Sequence, residues 1–449
     1  MTKNPRIKRN FIAILAGLLG GSALAQVPGP APAYVEVAGA RIVSQIQRSA
    51  RTVELTIATP SFAANTFVEI MLPTQYEADP RKSWPVTYYL GGTNRDHATF
   101  RAIYNGEHLT ASYPSIIVAP KADAGMWSDW LNAGAGGPPM YETFVIKQLI
   151  PLIDANFRTI ANRSHRAIMG ESMGGYGTMM MAARHPDLFV AAASLSGAVD
   201  TSYSPETPVT NLIRLVTAPL LVPIYGTRTD EAVRWHGHNP PDLAENLRDV
   251  HLQVRLGNGS LGTSHGEGLG DLVGCLVETA AIVPESISFH NRLGALGIAH
   301  AWQQYSWGCH SAALVGQSVA DTLPGFVAAF GTPAPSSFDY RSIEPAFSVY
   351  GWSVAADPAR ALEFLALSGV SSHGLSIAGS GATQVTTPPL FIASRPVSVV
   401  IDGVATNVVA TPDGRATFTA HLGEANAGQQ YRGGSTTNVT SATVSLAQD

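Results

Sequence analysis

Apolar and polar positions alternate with a period of two at Val53, Leu55 and Ile57, and again at Val68, Ile70 and Leu72. With the turn-rich segment PSFAAN between them, this predicts an antiparallel opening hairpin. Beyond it the pattern changes to short continuous apolar runs: Val86 to Leu90, Ser115 to Ala119, Ala167 to Met169, Val190 to Leu195, His251 to Leu256 and Ala301 to Trp307. Such runs read as strands buried on both faces. Helical or loop patterns separate them, including an amphipathic segment from Tyr141 to Phe157 and a helix after Met173, where Met179, Met180 and Ala183 fall at helical spacing. Strand and helix in alternation predict a mostly parallel sheet covered on both faces, with sites opening at the carboxyl ends of the strands.

Past Phe330 the pattern changes again. GTPAPSS, residues 331–337, has the composition of a linker. Beyond it short apolar runs, Leu375 to Ala378, Val397 to Ile401, Val404 to Ala410 and Ala416 to Ala420, alternate with Gly, Pro, Asp and Asn turns. Regular short strands without a long helix predict a small β-sandwich-like domain over 338–449. At the other end Lys3, Arg6, Lys8 and Arg9 precede the apolar run Phe11 to Leu19 and an Ala23-Leu24-Ala25 cleavage pattern, the order of a secretory signal peptide over 1–25. A Pro/Ala-rich lead-in fills 26–39, and the catalytic region is expected over 40–330. After Leu19 no run of some twenty uninterrupted apolar residues occurs, so no transmembrane segment is expected once the signal is cleaved.

Composition narrows the function. Hydrophobic residues at 45%, charged residues at 14% and a net charge of −5 describe a core-rich globular chain without the basic face that a nucleic acid requires. Two cysteines, Cys275 and Cys309, are too few for a structural zinc site, and in an oxidising compartment they predict one disulfide. No H-E-x-x-H or other ligand cluster suggests a metal, and no cofactor motif is present.

The run from Ala167 ends in Gly170-Glu171-Ser172-Met173-Gly174, a G-x-S-x-G between a predicted strand and a predicted helix. In that context the turn lifts the Ser172 hydroxyl above the sheet edge as a nucleophile, which makes the expected fold an α/β-hydrolase. A serine hydroxyl needs a base, and the base needs an orienting acid. His310 follows the last predicted strand of the catalytic region and precedes its last helix, ahead of His300 and His265. After the strand His251 to Leu256 come Glu267, Asp271 and Glu278, and position alone leaves Asp271 and Glu278 comparable as acid. The oxyanion hole is expected from the backbone N–H groups of Met173 and of Thr93, the latter in the loop Gly91-Gly92-Thr93-Asn94.

These residues resemble a family. GESMGGYGTMMMAARHPDLFVAAASLSG is similar to the elbow region of the esterase D superfamily, especially the secreted antigen-85-type mycolyltransferases. The likeness continues in Trp127-Ser128-Asp129-Trp130, Tyr141-Glu142-Thr143-Phe144, Asn239-Pro240, Leu256-Gly257-Asn258-Gly259 and Gly308-Cys309-His310-Ser311. The resemblance implies a glutamate acid 32 positions before the histidine, and 310 − 278 = 32 selects Glu278. It also makes Asn94, Trp127 and Asp129 candidate substrate contacts. The chain departs from the family where L-D-G-L-R becomes Leu90-Gly91-Gly92-Thr93-Asn94 and where the tryptophan two after the histidine becomes Ala312.

The expectation is a secreted or cell-envelope serine esterase or acyltransferase that forms an acyl-enzyme on carboxylic, lipid or fatty-acyl esters. The alternative is a mycolyl or diacylglycerol acyltransferase with a sugar or glycerol acceptor. A second class is a non-catalytic binding protein that retains the hydrolase shell. The expected partners are an ester or acyl donor and, for transfer, a sugar acceptor or envelope lipid.

Overall fold

The computed structural model describes residues 33–131, 139–203, 221–435 and 437–448. The expected signal peptide and most of the lead-in lie outside the described residues. From Tyr34 to Asp449 the chain forms one compact unit.

Nine strands form the main sheet: β1 (Arg41–Gln47), β2 (Thr52–Ala58), β3 (Thr66–Met71), β4 (Val86–Leu90), β5 (Ile116–Pro120), β6 (Arg166–Glu171), β7 (Ala191–Leu195), β8 (His251–Leu256) and β9 (His300–Gln304). Their order is β1-β2-β3-β5-β4-β6-β7-β8-β9. β1, β2 and β3 are antiparallel, β3 meets β5 antiparallel, and all pairings from β5 to β9 are parallel. Alternate residues serve opposite faces: Val86, Tyr88 and Leu90 join one apolar cluster with Met179 and Phe289, while Tyr89 and Met169 join another with Val319 and Phe326. Burial on both faces explains why these strands read as continuous apolar runs. β9 ends at Gln304, short of the expected Trp307, which lies in the following loop. β1 was not anticipated.

The C-terminal strands are β10 (Phe338–Ser342), β11 (Ala346–Val349), β12 (Trp352–Ala355), β13 (Leu365–Ser371), β14 (Gly374–Gly379), β15 (Gly381–Thr386), β16 (Pro396–Ile401), β17 (Val404–Val409), β18 (Thr417–Leu422) and β19 (Thr440–Ala447). They form two antiparallel sheets, ordered β10-β13-β14-β19-β16-β17 and β11-β12-β15-β18. Val354, Val385 and Phe418 of the smaller sheet share one core with Leu367, Ile377 and Val399 of the larger.

This region is closely fitted to the first. Ile343 (2% exposed) and Phe364 (6%) belong to the hydrolase-side core. The Tyr340 hydroxyl donates to Arg184 O at 2.6 Å, and the Asn246 amide bonds Arg341 in both directions. The segment 331–337 is itself held, with Gly331 N–H donating to Ser164 O at 2.8 Å.

Helix Leu272–Val277 continues through a π-helical turn, Glu278–Ile282, into helix Val283–Ala295. By length and composition Leu269–Ala295 is apolar enough to cross a membrane. Its later part packs against β8, with Glu278, Ile282, Ser286, Phe289 and Leu293 buried at helical spacing, while Leu269–Val277 has no buried residue.

Candidate active site

β6 runs directly into helix Met173–Arg184, and Ser172 at the junction has φ 55° and ψ −123°. A non-glycine residue held there is strained, and surrounding structure must enforce it. Close packing does so. A Cβ on Gly174 would stand 1.9 Å from Leu90 O, and one on Gly170 would stand 2.4 Å from Gly174 O. Both glycines are therefore required for β4, β6 and the helix to approach. Ser172 N–H donates to Leu195 O at 3.1 Å, tying the elbow to the end of β7.

Glu278 is fully buried and collects three donors. Its Oε2 lies 2.9 Å from His310 Nδ1, while Oε1 accepts from Ser196 Oγ at 2.9 Å and from Gly257 N–H at 2.8 Å. The loops after β7, β8 and β9 thus converge on one carboxylate, with the His310 side chain partly exposed beside it. A ring nitrogen bonded to a carboxylate is held as the N–H, which leaves Nε2 as the basic nitrogen. The alternative acids have other partners. Glu267 accepts from Gly262 N–H, Cys309 N–H and Ser311 Oγ, and Asp271 accepts from Gly268 N–H. His300 Nδ1 is bonded to Ile298 O and its Nε2 to His290 Nδ1, and His265 stacks on Trp307.

Cys275 and Cys309 form a disulfide. It joins the helix that leads into Glu278 to the residue before His310. His310 N–H also donates to Gly274 O at 3.0 Å.

The loop after β4 borders Ser172: a Cβ on Gly92 would meet the Ser172 side chain at 3.2 Å. Within it Gly92 N–H donates to Glu171 Oε1, Asn94 N–H to Asp123 O and Arg95 N–H to Gly92 O. Thr93 N–H has no acceptor among the described residues. Asn94 is exposed, in a left-handed turn with φ 55°.

Two expected substrate contacts are corrected. Trp127 is fully buried; its Nε1 donates to Gly91 O at 3.1 Å, and its ring fills the space that a side chain at position 177 would need. It supports the loop after β4 from behind and has no exposed surface. Asp129 accepts from Thr143 N–H at 3.0 Å and Thr143 Oγ1 at 2.6 Å, fixing the start of helix Tyr141–Thr143, and lines a different cleft.

Ser196, Glu171 and Arg95 carry no sequence signal for their roles, and Glu267, named above only among the acids after the strand, holds Cys309 N–H and Ser311 Oγ. Glu171, the x before the serine, is buried, accepts from Gly92 N–H and from the Tyr104 hydroxyl, and lies 3.6 Å from Arg95 Nε. Burial pushes the Tyr104 hydroxyl pKa well up, and the neighbouring Glu171 adds to it, so Tyr104 remains a donor. Arg95 stands one position beyond the residues compared with L-D-G-L-R, and its guanidinium lies beside the buried Glu171 carboxylate.

Residues 59–320 match the family model named Esterase. The chain belongs to the esterase family. It is 38% identical over 161 residues to the Mycobacterium tuberculosis esterase Rv1288, covering 35% of each chain. It is 28% identical over 245 residues to the Mycobacterium leprae diacylglycerol acyltransferase/mycolyltransferase Ag85B, covering 51% of this chain and 70% of that one. The chain thus spans about a third of the length of the first relative. The Mycobacterium tuberculosis MPT51 structure matches with a TM-score of 0.51 at 20% identity, covering 62% of this chain and 100% of that one. An S-formylglutathione hydrolase from Agrobacterium tumefaciens gives a TM-score of 0.51 at 16% identity, covering 65% and 100%. These two place the sheet among α/β-hydrolase-type folds.

Proposed function

We propose that this chain is an extracytoplasmic serine esterase that acts through an acyl-enzyme. Ser172 is the nucleophile, His310 the base and then the acid, and Glu278 the group that fixes the imidazole. The observation that carries the reading is the buried Glu278 carboxylate 2.9 Å from His310 Nδ1, at the sheet edge that also holds the strained Ser172 turn. In this reading His310 takes the Ser172 proton as the hydroxyl attacks the ester carbonyl. The N–H groups of Met173 and Thr93 receive the developing oxyanion. His310 then returns the proton to the leaving alcohol, and water cleaves the acyl-enzyme by the same steps.

An apolar ester group suits the surroundings. Leu272 (52% exposed), Val273 (75%) and Leu276 (54%) stand on the helix that carries Glu278 and touches the His310 loop. The signal-peptide-like N-terminus and the disulfide support export. The region from about 338 onward is, in this reading, an accessory β-sandwich without catalytic residues.

Transfer to a sugar hydroxyl is the second reading, and similarity to Ag85B favours it. The altered loop and Ala312 favour water instead. Incubation with an acyl donor and trehalose, read by mass spectrometry, separates the two: free acid in excess supports hydrolysis, and acyl-trehalose in excess makes the chain a transferase. Absence of any acyl product from the wild-type protein, under conditions where it is folded, overturns the catalytic reading.

A further inference from the structure

A cleft of about 890 Å³ lies between the hydrolase-side helices and the outer face of the four-stranded C-terminal sheet. One wall carries Trp130, Ile146 and Lys147, and Arg184 and Glu344 line it as well. The facing wall is formed by the outward side chains of β11, β12 and β15. It exists because the sheet alternates. Val349, Trp352, Val354 and Val385 point into the shared core, which leaves Ala346, Ser348, Ser353, Ala355, Gln384 and Thr386 outside. Protein interfaces normally interdigitate to close packing. Small side chains at these positions leave the space unfilled.

We propose that this cleft binds a neutral oligosaccharide chain, at a site separate from the proposed reaction centre. The lining argues against an ionic ligand, because most of its charges are paired, while Asp187 accepts from Tyr350 N–H at 3.3 Å. Arg184 is held by Glu142 at 2.8 Å and Glu344 at 2.7 Å, His185 by Glu142 at 2.7 Å, and Arg234 by Glu231 at 2.8 Å. Asp129 is bonded to Thr143. Lys147 is the remaining exposed cation among the described lining residues, too little for a polyanion. A lipid chain would not select a wall of hydroxyls and an amide.

That wall suits sugar hydroxyls. Ser348 pairs with Ser353 across β11 and β12, and Ser353 with Thr386 across β12 and β15. The row therefore repeats at the strand spacing of ~4.8 Å. Ser348 Oγ and Ser353 Oγ are 2.9 Å apart, and each hydroxyl keeps further hydrogen-bonding capacity. The half-buried indole of Trp130 gives an apolar surface for the C–H face of a sugar ring. Arg184 at the cleft ends the 12-residue helix that begins after Ser172. At the helical rise this separates cleft and nucleophile by roughly 18 Å. An ester-bearing glycan held here would leave the carboxyl edge of the sheet free to work on it.

The test is calorimetric titration of the full chain with xylohexaose, cellohexaose and maltohexaose, using wild type, Ala355→Trp, which fills the cleft, and Gln384→Ala, an exposed change that guards against misfolding of the first. Binding of at least one hexasaccharide is expected, weakened roughly tenfold or more in Ala355→Trp and measurably in Gln384→Ala. Turnover of p-nitrophenyl butyrate should be unchanged in both. No binding of any of the three sugars, or binding unaltered by both substitutions, overturns the proposal. Binding lost in Ser172→Ala instead would place the sugar at the reaction centre and overturn it equally.

Discussion

At the residue scale, the account rests on which side chains act as a unit. Ser172→Ala and His310→Ala should each lower turnover of a short p-nitrophenyl ester by on the order of 10⁶, because members of a triad fail together. Glu278→Gln should cost less, ~10⁴, since nucleophile and base remain but the imidazole loses its fixed tautomer. Asp271→Asn is the control: it removes the charge at the helix-start contact to Gly268 N–H and should leave the rate near wild type. A damaging Asp271→Asn with an active Glu278→Gln would move the acid. In the sequence a turn motif marks Ser172 and a post-strand turn marks His310 as the proposed nucleophile and base. Glu278 was separable from Asp271 only through the family spacing. Ser196, Glu171 and Glu267 were not legible, since each acts by a hydrogen bond across loops that no local pattern records.

At the element scale, pattern reading succeeded where burial was one-sided or complete and failed where it was neither. The hairpin of β2 and β3 and the core strands β4 to β8 follow the apolar runs. β1 is an edge strand exposed along nearly its whole length, so it carries no alternation to detect. β9, also largely exposed at the other edge, was placed too long for the same reason. The glycines of the elbow were read as turn residues, and their packing role gives a sharper expectation. Gly174→Ala should cost about 3 kcal/mol or leave no soluble protein, because its Cβ would meet the backbone of β4 rather than a movable side chain. A melting temperature equal to wild type would contradict that packing. The Cys275–Cys309 bridge joins the segments that hold Glu278 and His310, with ~3–4 kcal/mol expected from loop closure. Mild reduction should therefore lower esterase activity before near-ultraviolet circular dichroism changes. Activity that persists until global unfolding would show that the bridge does not hold the site.

At the scale of the whole molecule, every catalytic candidate precedes Gly331, which on the sequence alone implies that a chain ending there keeps activity on small esters. The structure changes the expectation. Removal of Ile343 and Phe364 would open the hydrolase-side core, and Arg184 would lose Glu344. The truncated chain should aggregate or melt well below the full protein. Soluble truncated protein with an unchanged melting temperature would contradict the shared core. The same boundary predicts acid sensitivity. Burial pushes Glu142 up, but Arg184 and His185 outweigh it and hold the carboxyl well below the usual range. Burial, with Arg184 nearby, pushes His238 down from 6.5 to about 4. Both folded pKa values are depressed, so the unfolded chain binds protons first and stability is lost as pH falls. His238 acts between 6.5 and about 4, and Glu142 below the ordinary carboxylate value. Melting temperature should decline from pH 7 to pH 4, and His238→Gln should flatten the upper part of that decline if it folds. A melting temperature that rises over this interval would contradict the assignment.

Covalent labelling tests whether Ser172 is a nucleophile activated by His310. Wild-type protein treated with a fluorophosphonate probe should gain one adduct, mapped by peptide mass spectrometry to the segment that holds Ser172. Labelling should be absent in Ser172→Ala and slowed by orders of magnitude in His310→Ala. Esterase turnover by a wild-type protein that takes no label, or label carried by another residue, would contradict the account.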